Sequence, residues 1–222
     1  NTGETGYRVM DSGVLFELGR SLMKRADTDT AAREIDRAIT YRDGLIIALL
    51  AARPLRRRNL TALKLGRHIS RSDNVYLLHL AAGETKQHRP YECALPAALT
   101  PYIDRYLTQY RPRFPGADRH DFLWASAKGG ALRENGIYLR IVHHTAIAFG
   151  RPVHPHLFRD SAATSIARRD PLHVQSAAAV LGHADLRTTE RYYNQATTLE
   201  AARGYQGAIE VLRQQFTDED TK

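Results

Sequence analysis

Residues 154–193 read HPHLFRDSAATSIARRDPLHVQSAAAVLGHADLRTTERYY, and the rest of the chain can be placed around them. Proline suits the first turn of a helix, where its missing N–H leaves nothing unpaired, so Pro155 sets a helix start at His156. His156 and Arg159 then stand three residues apart on one helix face, an imidazole and a guanidinium aimed at the same place. Gly182 is a natural helix-ending glycine and decides where His183 emerges. Tyr192 lies nine residues beyond that histidine. Two imidazoles, a guanidinium and a phenol are poor core material. They suit a phosphodiester, because Arg and His hold phosphate oxygens and a Tyr oxygen can attack phosphorus.

Working outward from this stretch, the apolar spacing is mostly helical. Asp11 and Ser12 are capping residues for a helix that carries Val14, Leu15, Leu18 and Leu22 and ends near Ala26. A second helix is expected over roughly 30–40 and a third, almost wholly apolar and therefore buried, over Asp43 to Ala52. Pro54 makes a turn into a short helix with Leu60 and Leu63 inward. The period then changes to that of strands: 68–71, 75–80 and 91–95, separated by polar turns, predict a small antiparallel meander. Helices come next at Pro96 to Tyr110, with Leu99, Ile103, Tyr106 and Leu107 inward, and at Glu134 to Phe149; between them Trp124 reads as core. His143 and His144 have no third ligand at metal spacing and read as helix-end or DNA-facing residues. Ala162, Ala163, Ile166 and Ala167 make a small-residue face. A short helix over 172–181, an amphipathic one over 197–216 and an acidic tail at Asp218–Asp220 complete the chain.

Composition narrows the partners. The chain of 222 residues has a formal charge of +8 and a pI near 9.8, a surplus that suits a polyanion such as nucleic acid. With Cys93 the single cysteine, no intramolecular disulfide can form, and a reducing compartment fits. No apolar run approaches the ~18 residues that a membrane span needs. The chain opens on Asn rather than Met, as expected of an excised piece with a domain upstream.

The ordered set His-x-x-Arg, Leu-Gly-His and Tyr nine residues later resembles the C-terminal signature of the tyrosine recombinase, or phage integrase, family. The resemblance covers roughly residues 30–200 and is sharpest after 154. It implies that family's catalytic-domain fold, mainly α with a small antiparallel three-stranded sheet (α+β), over residues 11–196. Residues 1–10 would be a linker, and 197–222 a helix and tail suited to docking on a neighbouring copy. The resemblance also implies two site residues that spacing alone does not. Aligned through Leu60 and Leu63, the family's first catalytic arginine falls on Arg56, in a run with four arginines between 53 and 58 where the alignment can shift by one residue and where Asn59 replaces the family's usual glutamate. The catalytic lysine of the second hairpin turn falls on Lys86, ahead of Arg89 and Leu95-Pro96. Asp160 stands where the family often has histidine.

What the resemblance implies is a site-specific DNA recombinase that cuts and rejoins strands through a 3′-phosphotyrosyl link on Tyr192, needing neither metal, ATP nor any other cofactor. Tyr193 is the rival nucleophile. The partners implied are duplex DNA at paired recombination sites, three further copies in a tetramer on DNA, and accessory directionality or DNA-bending proteins, with no membrane; free in solution the chain is expected as a monomer, in the cytoplasm at the nucleoid. Two other readings use the same residues. A type IB-like topoisomerase shares the chemistry, and a non-catalytic basic DNA-binding domain would bind with strong salt dependence but form no adduct.

Overall fold

A computed structural model describes residues 9–86 and 88–169, so His183, Tyr192, Tyr193, the helices expected over 172–181 and 197–216 and the acidic tail lie outside the described residues. Six helices and one three-stranded sheet make up the described fold, with short 3-10 and π turns between them: α1 (Ser12–Thr28), α2 (Glu34–Ala52), α3 (Arg57–Ala62), β1 (Ile69–Ser72), β2 (Val75–Leu80), β3 (Tyr91–Ala94), α4 (Thr100–Arg105), α5 (Glu134–Phe149) and α6 (Leu157–Arg169). The expected class, mainly α with a small antiparallel sheet, is what is found. The sheet runs β1-β2-β3, each pair antiparallel, with Leu78 opposite Ile69 on one side and Cys93 on the other. Along β2 the side chains of Tyr76, Leu78 and Leu80 are buried and alternate with more exposed ones, the period-2 pattern of a strand with one face on a core.

α1 begins where a capping residue allows it: Asp11 accepts a hydrogen bond from the Gly13 N–H at 2.7 Å. Val14, placed on its apolar side by the spacing, is 45 % exposed; Leu15 and Leu22 turn inward. The two helices expected at 30–40 and 43–52 are one, α2. Arg42 and Asp43 look like a polar break in the sequence, but both are buried and ion-paired to each other, so the helix passes through them without exposing a charge. α1 and α2 cross at a glycine pair. A β-carbon on Gly19 would stand 2.6 Å from the Gly44 carbonyl oxygen and 2.7 Å from the Ala48 nitrogen. Both obstacles are backbone and cannot rotate away. Gly19→Ala gains up to ~1 kcal/mol of helix propensity yet must push two helices apart. A net loss of roughly 2 kcal/mol is therefore expected, read as a melting temperature lowered by roughly 4–8 °C. An unchanged melting temperature would mean that the crossing can widen without cost.

The helix expected from Pro96 to Tyr110 is present but irregular: a 3-10 turn at Ala97–Leu99, α4, then a π turn at Tyr106–Tyr110. The wider turn keeps Tyr106 and Tyr110 both inward. Tyr110 stacks on Tyr41 of α2 at 4.1 Å between centroids. Trp124 is core, as expected: it is 1 % exposed and its indole N–H donates to the Leu60 carbonyl at 2.8 Å. That bond satisfies a carbonyl of α3 that a six-residue helix cannot pair internally, and so fixes α3 against the core. Among the described residues no helix is long and apolar enough to cross a membrane.

Candidate active site

Pro54 ends α2 and sets the path of the chain into α3. The residue before a proline is pushed out of the helical region, and Arg53 is extended at φ −139°, ψ 94°. Two residues after the proline, Arg56 is again extended and is the N-cap of α3, where its carbonyl accepts from the Leu60 N–H at 2.9 Å. Buried Leu55 and Leu60 hold the turn on both sides. An arginine cannot cap a helix N-terminus, and among the described residues no hydrogen bond is made by the Arg56 guanidinium. Asn59, at the position of the missing glutamate, is buried.

The second wall comes from residues 154–159. The turn at 154–157 is closed by a bond from the Leu157 N–H to the His154 carbonyl at 2.9 Å, so α6 starts at Leu157, one residue later than the proline implies. Phe158 is wholly buried and locks the first turn of the helix. One residue further round, Arg159 reaches across and donates from Nη1 to the Pro54 carbonyl at 2.7 Å. The second arginine of the set is thus tied to the very turn that carries the first.

Arg56, His156 and Arg159 line one open cleft of about 390 Å3, together with Arg57, Arg58, Glu134, Tyr138, Leu55 and Pro155. Four arginines and one glutamate are among the residues that line it. That carboxylate is already engaged, since Glu134 pairs with Arg57 at 2.5 Å. The partners are both nearly half exposed, so the pair contributes little to stability; its effect is to take Arg57 out of competition. Arg56, Arg58 and Arg159 line the cleft beside that pair, and an arginine fork suits the non-bridging oxygens of a phosphate.

Lys86 is placed differently. It stands exposed on the connection between β2 and β3 and is not among the residues lining the cleft. Tyr91, at the start of β3, is electrostatically linked to the arginine turn: burial and then its contact with Cys93 push its phenol above the ordinary value, while Arg53 and Arg159 pull the other way.

The reading of His144 as a helix-end or DNA-facing residue is corrected. His143 is exposed, but His144 is 6 % exposed and its Nε2 lies 3.0 Å from the Asp43 carboxylate. It faces the α2 ion pair, not solvent. Spacing does not anticipate Glu134 and Tyr138 either. They stand four apart on α5, hence on one face, but only the fold brings that face to the arginine turn.

Known proteins share this outline. A profile of the phage integrase family matches residues 20–198. The chain is similar to tyrosine recombinase XerD of Pseudomonas aeruginosa, 29% identical over 184 residues that make up 80% of this chain and 59% of the relative. It is similar also to tyrosine recombinase XerC of Pseudomonas syringae pv. syringae, 28% identical over 179 residues, 78% of this chain and 56% of that one. The chain therefore spans little more than half the length of these curated relatives. Among solved structures, the XerH site-specific recombinase bound to palindromic difH substrate, a post-cleavage complex, matches with a TM-score of 0.65 at 19% identity, over 91% of this chain and 55% of that one. XerA recombinase matches at 0.60, 19% identity, 85% and 63%. These structural likenesses are likenesses of fold.

Proposed function

We propose that this chain, which belongs to the phage integrase family, is the strand-cutting and strand-joining part of a site-specific DNA recombinase. The observation that carries the reading is the convergence of Arg56, His156 and Arg159 on one cleft, although about a hundred residues separate the first from the other two. Its substrate would be duplex DNA at paired sites, in keeping with the formal charge of +8. The curated relatives are tyrosine recombinases, and the XerH site-specific recombinase is bound to a palindromic difH substrate. Four copies acting on two duplexes, with accessory DNA-bending or directionality proteins, belong to the same proposal.

The chemistry balances without an external energy source. The Tyr192 oxygen attacks phosphorus, the bond from phosphorus to the 5′ oxygen breaks, and a 3′-phosphotyrosyl link forms. Charge that builds on the non-bridging oxygens is met by the Arg56 and Arg159 forks, placed in advance and close to the reacting atoms. His156 takes the phenol proton or donates to a phosphate oxygen, and His183 donates to another. Lys86, a single mobile cation, protonates the leaving 5′ oxygen; for this its hairpin must swing towards the cleft when DNA is bound. A 5′ hydroxyl from a second strand reverses the step, so the phosphodiester is conserved.

The test is incubation of the chain with nicked duplexes of candidate attachment sites, followed by a denaturing gel. A protein–DNA adduct that survives denaturation is the expected result, and its absence with every site tried counts against the reading. Within the same assay Arg159→Lys keeps a positive charge but loses the fork and the bond to Pro54. Single-turnover cleavage is expected to fall about a hundredfold, while retention of DNA changes little. A rate within a few-fold of the unsubstituted chain would show that charge alone is what Arg159 supplies.

A further inference from the structure

We propose that Tyr138 and His154 are positioning residues for His156, holding its imidazole in one orientation at the mouth of the arginine cleft. The proposal rests on the reading of His156 as a group that meets the phosphate. His156 is exposed and precedes the first turn of α6, a place where a side chain ordinarily samples several rotamers. Ordering such a ring costs up to ~1 kcal/mol of conformational entropy, so something must hold it.

What holds it is a column of flat groups running out from α5. The His156 ring lies against that of His154, with centroids 5.8 Å apart and planes within 5°. His154 lies in turn against Tyr138, 5.7 Å and 9°, and a hydrogen bond of 3.0 Å joins Tyr138 Oη to His154 Nδ1. Above Tyr138 the Arg57 guanidinium stands 5.5 Å from the ring centroid, and Glu134 pairs with Arg57. The column is fixed at both ends of its backbone. Tyr138 follows buried Ile137 and precedes buried Ile141 by less than a turn; His154 sits between buried Val153 and buried Pro155. The hydrogen bond prevents the His154 ring from flipping whichever of the two atoms carries the proton, and a ring that cannot flip presents a constant face to His156. The arrangement has a catalytic reason, since displacing a reacting group by ~1 Å costs up to about a hundredfold in rate. Neither Tyr138 nor His154 meets the phosphate in this scheme; both act through His156.

The experiment uses the whole 222-residue chain with isotope-labelled histidines, the His156 ring signals being identified by their loss in His156→Gln. Tyr138→Phe and His154→Ala are each expected to move those ring signals. On a pool of nicked duplexes with randomised sequence around the nick, each is expected to slow single-turnover adduct formation about tenfold, with retention of the same DNA unchanged. Because the two residues act in series, the double variant should be no slower than the slower single one. Ring signals that stay in place overturn the proposal, as do losses that multiply in the double variant or that follow weakened DNA retention. If the unsubstituted chain forms no adduct on any pool, the proposed function is what fails, and the ring signals still decide the positioning.

Discussion

Tyr192→Phe is expected to abolish the covalent adduct with nicked DNA, whereas Tyr193→Phe should leave it in place. The substitution removes one oxygen and nothing else, so folding and retention of DNA should be preserved while the nucleophile disappears. A phenol is a weak nucleophile at neutral pH, its pKa being about 10. Only where several fixed cations surround it does the tyrosinate become accessible, and Arg56 and Arg159 provide two such cations on one cleft. Tyr192 is the proposed nucleophile over its neighbour because it stands nine residues after His183, the offset of the family pattern that the sequence resembles. A nick beside the scissile phosphate makes the test clean: the short 5′-hydroxyl fragment diffuses away, rejoining stops, and the adduct accumulates. Proteolysis of the adduct and identification of the modified peptide separates the two tyrosines directly. An adduct that persists in Tyr192→Phe and vanishes in Tyr193→Phe would move the nucleophile by one residue.

The parts of this molecule that are legible from sequence are those set by local chemistry. The alternation in Val75–Leu80 predicts a strand with one buried face, and Tyr76, Leu78 and Leu80 are buried. Pro54 predicts the turn that ends α2 and leads into α3, whose N-cap is Arg56. Partners far apart in sequence are not legible. Asp43 reads only as the first residue of an almost wholly apolar helix; its actual partners on α5, Arg140 and His144, are about a hundred residues away. His144 reads as polar surface for the same reason, since nothing near it in sequence satisfies an imidazole. The Tyr138–His154 contact has no signal in spacing at all. It exists because α5 and the turn at 154–157 pack on the same side of the arginine turn, and packing of that kind is decided by the whole core.

Asp43→Ala should destabilise the fold by about 3–5 kcal/mol, the range for removing one partner of a buried ion pair. Asp43 is 1 % and Arg42 3 % exposed. Arg42 donates to one carboxylate oxygen from Nε at 3.1 Å and Nη2 at 2.7 Å; the other oxygen receives Arg140 and lies 3.0 Å from His144. Arg42 keeps its bond to the Ala125 carbonyl at 2.8 Å and its place 5.1 Å from the Phe114 centroid. Neither neutralises a guanidinium, and the cavity left by the carboxylate is too enclosed to rehydrate it well. Burial alone would push the Asp43 carboxyl up, but the Arg42 charge, the His144 bond and the Arg140 charge outweigh it and hold the group below the usual carboxylate range. A depressed folded-state pKa contributes stability that is present above the unfolded value, about 4, and is lost as pH falls through the folded one. Urea midpoints measured at pH 7 and again at successive steps below pH 4 therefore separate the two effects. At pH 7 Asp43→Ala should lie far below the unsubstituted chain, with Asn, which keeps the shape and part of the hydrogen bonding, between them. Below pH 4 the gap should narrow, because the unsubstituted chain loses its carboxylate while the variants have none to lose. A gap that stays constant down to acid pH would mean that the loss comes from packing and not from charge. The same network joins α2, which ends at the Arg56 turn, to α5, which carries Glu134 and Tyr138. A variant that folds but lets these helices shift should then lose strand cleavage before it loses its secondary structure.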